Sequence, residues 1–263
     1  MLTYTNLVRP STLEEANAEY QKVKTAALLG GCCWLRLGRA SIVKAVDLSG
    51  LGLRYIRETE TEIQLGAMAT LRDMETSPVL QAYAGGAAAS CVHSILGVQF
   101  RECATIGGSV ASKFGFSDIL PTFLALGAEV ELFGKGRMAM KEYLACPRMH
   151  ELLVQVILPK KNIRAAHEAL RKSQSDFPYL TGAVAEENGC WTVVIGCRPG
   201  AAVIAEKASA LLTEQGASAA EEAAQLAAEE VTFQTNSHAS AAYRKEMAAV
   251  VVRRLVKEVE TWK

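Results

Sequence analysis

Two glycine pairs constrain this chain more than any other feature of it. Gly30-Gly31 closes the short apolar run Thr25-Ala26-Ala27-Leu28-Leu29, and Gly107-Gly108 follows Ala104-Thr105-Ile106. An apolar run that stops at paired glycines reads as a buried strand entering a tight turn. Glycine has no Cβ, so successive backbone N–H groups there can approach a ligand closely. N–H groups gathered at such a turn suit an anion, a pyrophosphate in particular. Taken alone, either pair is an ordinary turn. Beside the second pair, Thr105 and Ser109 add hydroxyls suited to phosphate or ribose oxygens. Asp118 either caps the next helix or accepts from a sugar hydroxyl. Neither loop is a G-x-G-x-x-G fingerprint or a phosphate loop ending in Gly-Lys-Ser/Thr, which disfavours a standard Rossmann or P-loop enzyme.

The segments around these turns alternate in type. Residues 11–24 read as a helix, with Ser11 and Thr12 as caps and Glu14 and Glu15 in its first turn. Residues 41–48 are β-rich and stop at Ser49-Gly50, so the chain opens with a small α/β unit. Alternation marks strands at 53–57 and 62–67, and Thr70 caps a helix beginning there. The small residues of 84–95 predict a closely packed helix, and 119–126 predict another. Gly134-Lys135-Gly136 is a hairpin signal between 129–133 and 137–140. Cys146-Pro147-Arg148 breaks the pattern before a strand at 152–158 that Pro159 stops. Further strands fall at 182–186 and 191–197. An Ala- and Glu-rich helical stretch covers 204–230. A last helix at 240–260 carries the stripe Tyr243, Met247, Val250, Val251 and Leu255.

Composition narrows the function classes. The 263 residues suit one large domain or two small ones, and a 50% hydrophobic content supplies a sizeable core. Lys plus Arg is 28 and Asp plus Glu is 28, a net charge of zero that argues against a nucleic-acid binder and favours association. Residues 1–20 hold no apolar run, which predicts no secretory signal, and no stretch has the roughly 18 apolar residues of a membrane span. The 7 cysteines, an odd number, predict reduced thiols and a cytoplasmic location. Their spacing and the scattered histidines predict no metal.

Family resemblance enters at the second glycine pair. Arg101-Glu102-Cys103-Ala104-Thr105-Ile106-Gly107-Gly108-Ser109, followed by Ser117-Asp118-Ile119-Leu120-Pro121, resembles the signature of the FAD-binding subunit of molybdenum hydroxylases. That family includes xanthine dehydrogenase and aerobic carbon monoxide dehydrogenase. Leu29-Gly30-Gly31, Val46-Asp47-Leu48-Ser49 and Ile63-Gln64-Leu65-Gly66-Ala67 fall in the family's order. Arg171-Lys172, Asp176-Phe177-Pro178 and the Tyr243 to Arg254 helix resemble its C-terminal domain, so the likeness spans essentially the whole chain.

The resemblance implies an α+β fold. A two-subdomain FAD-binding domain of the vanillyl-alcohol oxidase (PCMH-like) kind would cover 1–155, its subdomains at about 1–52 and 53–155. A small α/β C-terminal domain would cover 156–263. FAD would lie between the subdomains with its pyrophosphate in both glycine loops. The first loop is Ala27, Leu28, Leu29, Gly30, Gly31, Cys32, Cys33 and Trp34. The second is Thr105, Ile106, Gly107, Gly108 and Ser109, with Asp118 on the ribose or pyrophosphate side. Ile95, and Leu153 or Val154, would touch the flavin. The flavin does the electron chemistry, so no catalytic side chain is implied. Electrons would come from a 2Fe-2S small subunit, substrate would be oxidised on a molybdopterin-binding large subunit, and NAD+ or another carrier would be the acceptor. A flavin-free assembly subunit and a stand-alone NAD(P)H-dependent flavin reductase are the rival readings.

The chain departs from the family at several points. Cys32-Cys33-Trp34 stands where relatives carry a polar sequence, which removes side-chain oxygens but not amides. Ser109 and Glu102 replace asparagines. Glu168 stands near the place of a flavin-reaching Lys, with Arg171 and Lys172 just beyond. A cation there would stabilise a reduced, anionic flavin. No cysteine-rich insertion for an extra cluster is present. Trp191 reads as core, whereas Trp34 and Trp262 are candidates to stack on an adenine or flavin ring. Cys32 and Cys33 read as inert thiols, in a loop electropositive enough to stabilise a thiolate. His93, with no acid beside it in sequence, reads as structural. Arg244, Lys245, Arg253, Arg254 and Lys257, interleaved with Glu, read as a solvated or interface face.

Overall fold

Three sheets organise the chain. The computed structural model describes residues 2–38, 41–147 and 149–262; Arg148 of the expected break, and the terminal Met1 and Lys263 of the expected domains, lie outside them. The first sheet holds β1 (Tyr4–Val8), β2 (Ala26–Leu29) and β3 (Ile42–Asp47) in the order β1-β3-β2, all parallel. Helix α1 (Leu13–Gln21) connects β1 to β2, capped by Thr12 Oγ1, which accepts from the Glu15 amide at 3.2 Å. Ala16, Val46 and Leu48 close a small core with Leu152 of the neighbouring unit. Strand β1 escapes the sequence pattern because it is an edge strand with its first four residues exposed, so no alternation marks it.

The second unit is an antiparallel sheet in the order β4-β5-β8-β6-β7, from β4 (Ile56–Glu58), β5 (Glu62–Gly66), β6 (Glu129–Leu132), β7 (Gly136–Ala139) and β8 (Leu153–Pro159). Short helices cover it: α2 (Leu71–Thr76), α3 (Pro78–Ala82), α4 (Ala87–Ser90), α5 (Val98–Cys103), α6 (Ile106–Ala111), α7 (Ile119–Ala125) and α8 (Met140–Ala145). Leu65, Ile106, Phe123 and Val156 belong to its core. Thr70 and Asp73 form a reciprocal capping box on α2, and Asp73 also takes a two-pronged bond from Arg54 at 2.8 and 2.9 Å. The single helix expected over 84–95 does not form. Ala84, Gly85 and Gly86 all have positive φ (53°, 69° and 75°), and α4 keeps only one turn. Gly85 is needed there because a Cβ would overlap the ring of Trp262, which lies against this turn.

The third unit is an antiparallel sheet in the order β12-β11-β10-β9, from β9 (Ile163–Leu170), β10 (Leu180–Glu187), β11 (Cys190–Gly196) and β12 (Val203–Ile204). Helices α9 (Glu206–Gln215), α10 (Ala220–Glu230) and α11 (Ala241–Thr261) pack on it around Val184, Val193, Leu212 and Val252, with Trp191 buried among them. The helical stretch expected over 204–230 is split at Gly216, whose φ of 72° ends α9. The buried face of α11 is also displaced from the expected stripe. It runs through Arg244, Ala248, Val251, Val252, Leu255, Val256 and Val259, and Tyr243 is exposed. Arg244 thus leaves the expected solvated face. It is 1% exposed and donates to the carbonyls of Tyr179, Gln234 and Ala239 and to Asn236 Oδ1 at 2.6–2.7 Å, pinning the 234–239 segment. Among the described residues, no helix is long and apolar enough to cross a membrane.

Candidate cofactor-binding site

The two glycine loops, one ending a strand of the first sheet and one opening helix α6 of the second unit, lie in direct contact. Strand β2 delivers Gly30 and Gly31 against the segment that enters α6. A Cβ on Gly30 would stand 3.0 Å from Thr105 Oγ1, and one on Gly31 would overlap the Cys103 carbonyl oxygen and stand 2.6 Å from its carbon. Only glycine permits this approach.

The loops spend their amides differently. The second is not a free turn but the first turn of α6. Ile106 N–H donates to Ala69 O at 2.8 Å, Gly107 N–H to Ala67 O at 2.9 Å, and Ser109 N–H to Thr105 O at 3.0 Å. Thr105 Oγ1 caps the helix by accepting from Gly108 N–H at 3.2 Å. Thr105, Ile106 and Gly107 are buried, which leaves Gly108 exposed and Ser109 half-buried. A Cβ on Gly107 would meet Ala67 at 2.7 Å, so this glycine serves packing against the chain after β5. In the first loop, by contrast, no backbone acceptor among the described residues pairs with the N–H groups of Gly30, Gly31, Cys32 and Trp34, and the Cys33 N–H meets only its own sulfur. Amides left open in this way, with no Cβ cover at Gly30 and Gly31, are of the kind that suits an anion.

The thiols of this loop are disfavoured as thiolates. Cys32 Sγ donates to Gly30 O at 3.4 Å and Cys33 Sγ to Gly31 O at 3.5 Å. Burial pushes both thiols above their ordinary range, reinforced by Asp47 beside Cys32 and Cys103 beside Cys33. Both directions agree with the reading of Cys32 and Cys33 as inert thiols and run against a thiolate held by this loop. Strand β2 supplies half-buried Ala27, Leu28 and Leu29 behind the turn.

Asp118 is not a helix cap. Ser117 Oγ takes that role, accepting from Leu120 N–H at 3.2 Å, and Asp118 makes no cap bond. Asp118 is 5% exposed and pairs through Oδ1 with Nη2 of Arg171, which follows β9 in the third unit. Arg171 Nη1 donates to Asp176 O at 2.7 Å, while its buried Nε has no partner among the described residues, nor has His167 Nε2. Burial pushes the Asp118 carboxyl up to about 7 against the pull of Arg171, and burial with the nearby Arg171 charge drives His167 down to about 3. Sequence order named Arg171 but could not reveal its partner 53 residues away. Glu168 is taken up elsewhere, by Arg254 of α11 at 2.9 Å.

A second buried charge cluster supports the other loop. Arg101, 5% exposed, donates to Glu75 at 2.8 and 3.2 Å and to the carbonyl of Ile95 at 3.0 Å. Glu75 also receives Arg72 at 2.8 Å and meets His93 Nδ1 at 2.9 Å. Burial opposes ionisation of Glu75, yet Arg72, Arg101 and His93 together hold it down at about 2. The acid that His93 lacked in sequence is therefore Glu75. Ile95 is half-buried, its carbonyl committed to Arg101. Leu153 lies in the core of the second sheet, whereas Val154 packs in the cluster containing Leu28 and Met68 beside the first loop. Among the described residues, no group of His, Cys, Asp or Glu is placed to hold a metal.

Comparison with known proteins places this geometry. Residues 3–161 match the model of the FAD binding domain in molybdopterin dehydrogenase. The chain belongs to that family. Residues 164–259 match the CO dehydrogenase flavoprotein C-terminal domain. The structure of the Cu,Mo-CO dehydrogenase in its cyanide-inactivated form contains a chain 25% identical, covering 99% of both chains at a TM-score of 0.90. A chain of the reconstituted CO dehydrogenase from Oligotropha carboxidovorans is 26% identical over 98% of both, at 0.89. Quinoline 2-oxidoreductase from Pseudomonas putida 86 shares the fold at 19% identity, covering 98% of this chain and 97% of that one, with a TM-score of 0.88. The Escherichia coli (strain K12) protein YgfM is 30% identical over 142 residues, 54% of this chain. The match spans about half the length of that curated relative. The α+β architecture, an FAD-binding domain followed by a flavoprotein C-terminal domain, is thus the CO dehydrogenase flavoprotein fold, and its cofactor is FAD. The residues present fit a dinucleotide: unpaired amides in the first loop, two glycines admitting backbone contact, and the exposed Gly108 and half-buried Ser109 beside them.

Proposed function

We propose that this chain is the FAD-binding electron-transfer subunit of a molybdenum hydroxylase-type oxidoreductase, xanthine dehydrogenase-like in its partners. The observation that carries the reading is the contact of the two glycine loops around unpaired amides. When bound, FAD supplies the electron transfer itself. The chain's residues bind and orient it. The amides of Gly30 to Trp34 hold the pyrophosphate, with Ala27, Leu28 and Leu29 behind them. Thr105, Gly108 and Ser109 border it, Ile106 and Gly107 set that border by packing, and Ile95 and Leu153 or Val154 back the flavin. Asp118, held by Arg171, lies on the ribose or pyrophosphate side. The expected boundary at 155 would cut β8, which pairs with β5 as far as Pro159, so the FAD-binding domain ends after β8, near residue 160, and the C-terminal domain follows.

A molybdopterin-binding large subunit and a 2Fe-2S small subunit would supply electrons, and NAD+ or another carrier would remove them, in the cytoplasm. The test is purification from the native source with identification of the accompanying chains. Molybdenum- and 2Fe-2S-binding partners are expected. A chain that arrives alone and reduces dyes with NAD(P)H would be a flavin reductase instead.

A further inference from the structure

We propose that Trp34 and Phe177 form the corner on which the isoalloxazine ring of FAD stacks. This rests on the flavoprotein reading above and deepens it. Four aromatic rings from three separate segments meet beside the first glycine loop. Trp34 ends that loop, Phe114 and Phe116 follow α6 just before Asp118, and Phe177 comes from the segment after β9. The Trp34 ring centre lies 5.1 Å from Phe114, 5.2 Å from Phe116 and 6.0 Å from Phe177, and Phe116 lies 4.9 Å from Phe177. Phe114 and Phe116 stack on each other at 4.8 Å behind them.

This cluster is built as a surface rather than as a core. Trp34 is 42% exposed and Phe177 39%. Rings that only glued loops together would bury these faces, since each aromatic side chain offers about 150–250 Å² to bury. The two open rings stand at 87° to each other. A planar ring laid on either one meets the other edge-on, and offset-stacked and edge-to-face contacts are the arrangements aromatic rings favour.

The corner's position selects its guest. On one side, through the chain itself, lie the unpaired amides of Gly30 to Trp34. On the other, two residues past Phe116, lies Asp118, whose partner Arg171 also grips the carbonyl of Asp176 next to Phe177. A dinucleotide with its pyrophosphate on those amides therefore brings one ring system to the corner. The ring that exchanges electrons with other molecules must lie at an exposed seam, whereas adenine has no such requirement. The exposed corner accordingly takes the isoalloxazine, and because Phe177 belongs to the third unit, stacking there also ties that unit to the first loop.

The test uses the full chain as purified, with any chains that accompany it, stripped of flavin and titrated while tryptophan emission is followed. Subtracting the signal of Trp34→Phe isolates Trp34 from buried Trp191 and from Trp262. FAD and riboflavin should quench the Trp34 emission and ADP should not. Trp34→Ala and Phe177→Leu should each weaken FAD binding by roughly tenfold or more, and Trp34→Phe by no more than about threefold. The two weakening variants sit on different segments, so one that fails to fold leaves the other to decide. Wild-type FAD affinity in Trp34→Ala or in Phe177→Leu, or tighter binding, would overturn the corner. So would quenching by ADP without quenching by riboflavin, which would assign it to adenine. If the wild type takes up no FAD, the flavoprotein reading itself fails and the corner with it. If the wild type binds FAD and the variants bind it equally well, only the corner fails.

Discussion

Gly31→Ala should separate the glycine loops and release the cofactor. An alanine Cβ would overlap the Cys103 carbonyl oxygen and stand 2.6 Å from its carbon. Non-bonded carbons rest at roughly 3.5–4.0 Å, so the loops must part by about 1 Å or more. The Cys103 side cannot yield cheaply. The adjoining Ala104 carbonyl is fixed by Leu71 N–H at 2.8 Å, and Ile106 N–H by Ala69 O at 2.8 Å. Overpacking against such a neighbour costs about 1–3 kcal/mol, and here the upper end applies because the obstacle is backbone. If all of it is drawn from cofactor binding, about 3 kcal/mol corresponds to a Kd raised roughly 100-fold. Flavin fluorescence during FAD titration reads the affinity, and urea unfolding reads whatever part of the cost falls on the fold. Gly50→Ala is the control, because its Cβ would meet nothing nearer than Pro10 O at 3.9 Å. A Gly31→Ala protein with wild-type FAD affinity and unfolding midpoint would refute the packed-loop account.

Two further outcomes follow from the buried charges. Glu75→Ala leaves Arg101 buried without its carboxylate, so the unfolding free energy should fall by about 3–5 kcal/mol; an unchanged urea midpoint would show that Arg101 finds another partner. His167 and Asp118 make opposing contributions to pH dependence. His167 falls from 6.5 to about 3 on folding, so below 6.5 the unfolded state takes up a proton that the folded state refuses. Stability from this group is full above that value and is lost as pH falls toward 3, by about 1.4 kcal/mol per unit. Asp118 rises from 3.8 to about 7, so the folded state keeps a proton that the unfolded state releases, and its contribution is lost as pH rises through that window. The two slopes offset each other where the windows overlap. His167→Gln removes the first and should leave stability falling from about pH 4 to 6.5 in urea titrations; a flat profile in the variant would contradict the Asp118 assignment.

Much of the architecture can be read from local pattern. The Gly134-Lys135-Gly136 hairpin, the Thr12 and Thr70 caps and strands β3, β5, β8, β10 and β11 follow from turn chemistry and alternation within a few residues. Both glycine pairs are visible as well. What sequence cannot reveal is which acceptor takes each N–H. The two loops look alike, yet Ile106, Gly107 and Ser109 spend theirs on Ala69, Ala67 and Thr105, while the first loop keeps its own unpaired. Partners brought from distant segments are equally hidden. Asp118 finds Arg171, Arg101 finds Glu75, and Arg244 is drawn inward by three carbonyls rather than facing solvent. Strand β1 and the split at Gly216 were obscured for the opposite reason: an edge strand needs no buried alternation, and a single left-handed glycine interrupts an otherwise continuous helical pattern.

The measurement closest to the central claim is the flavin content of the purified chain with its native partners, by denaturing extraction and absorbance. The account predicts one FAD per chain, restored by added FAD after stripping and sharply reduced in Gly31→Ala. Colourless protein that takes up no added FAD would contradict it.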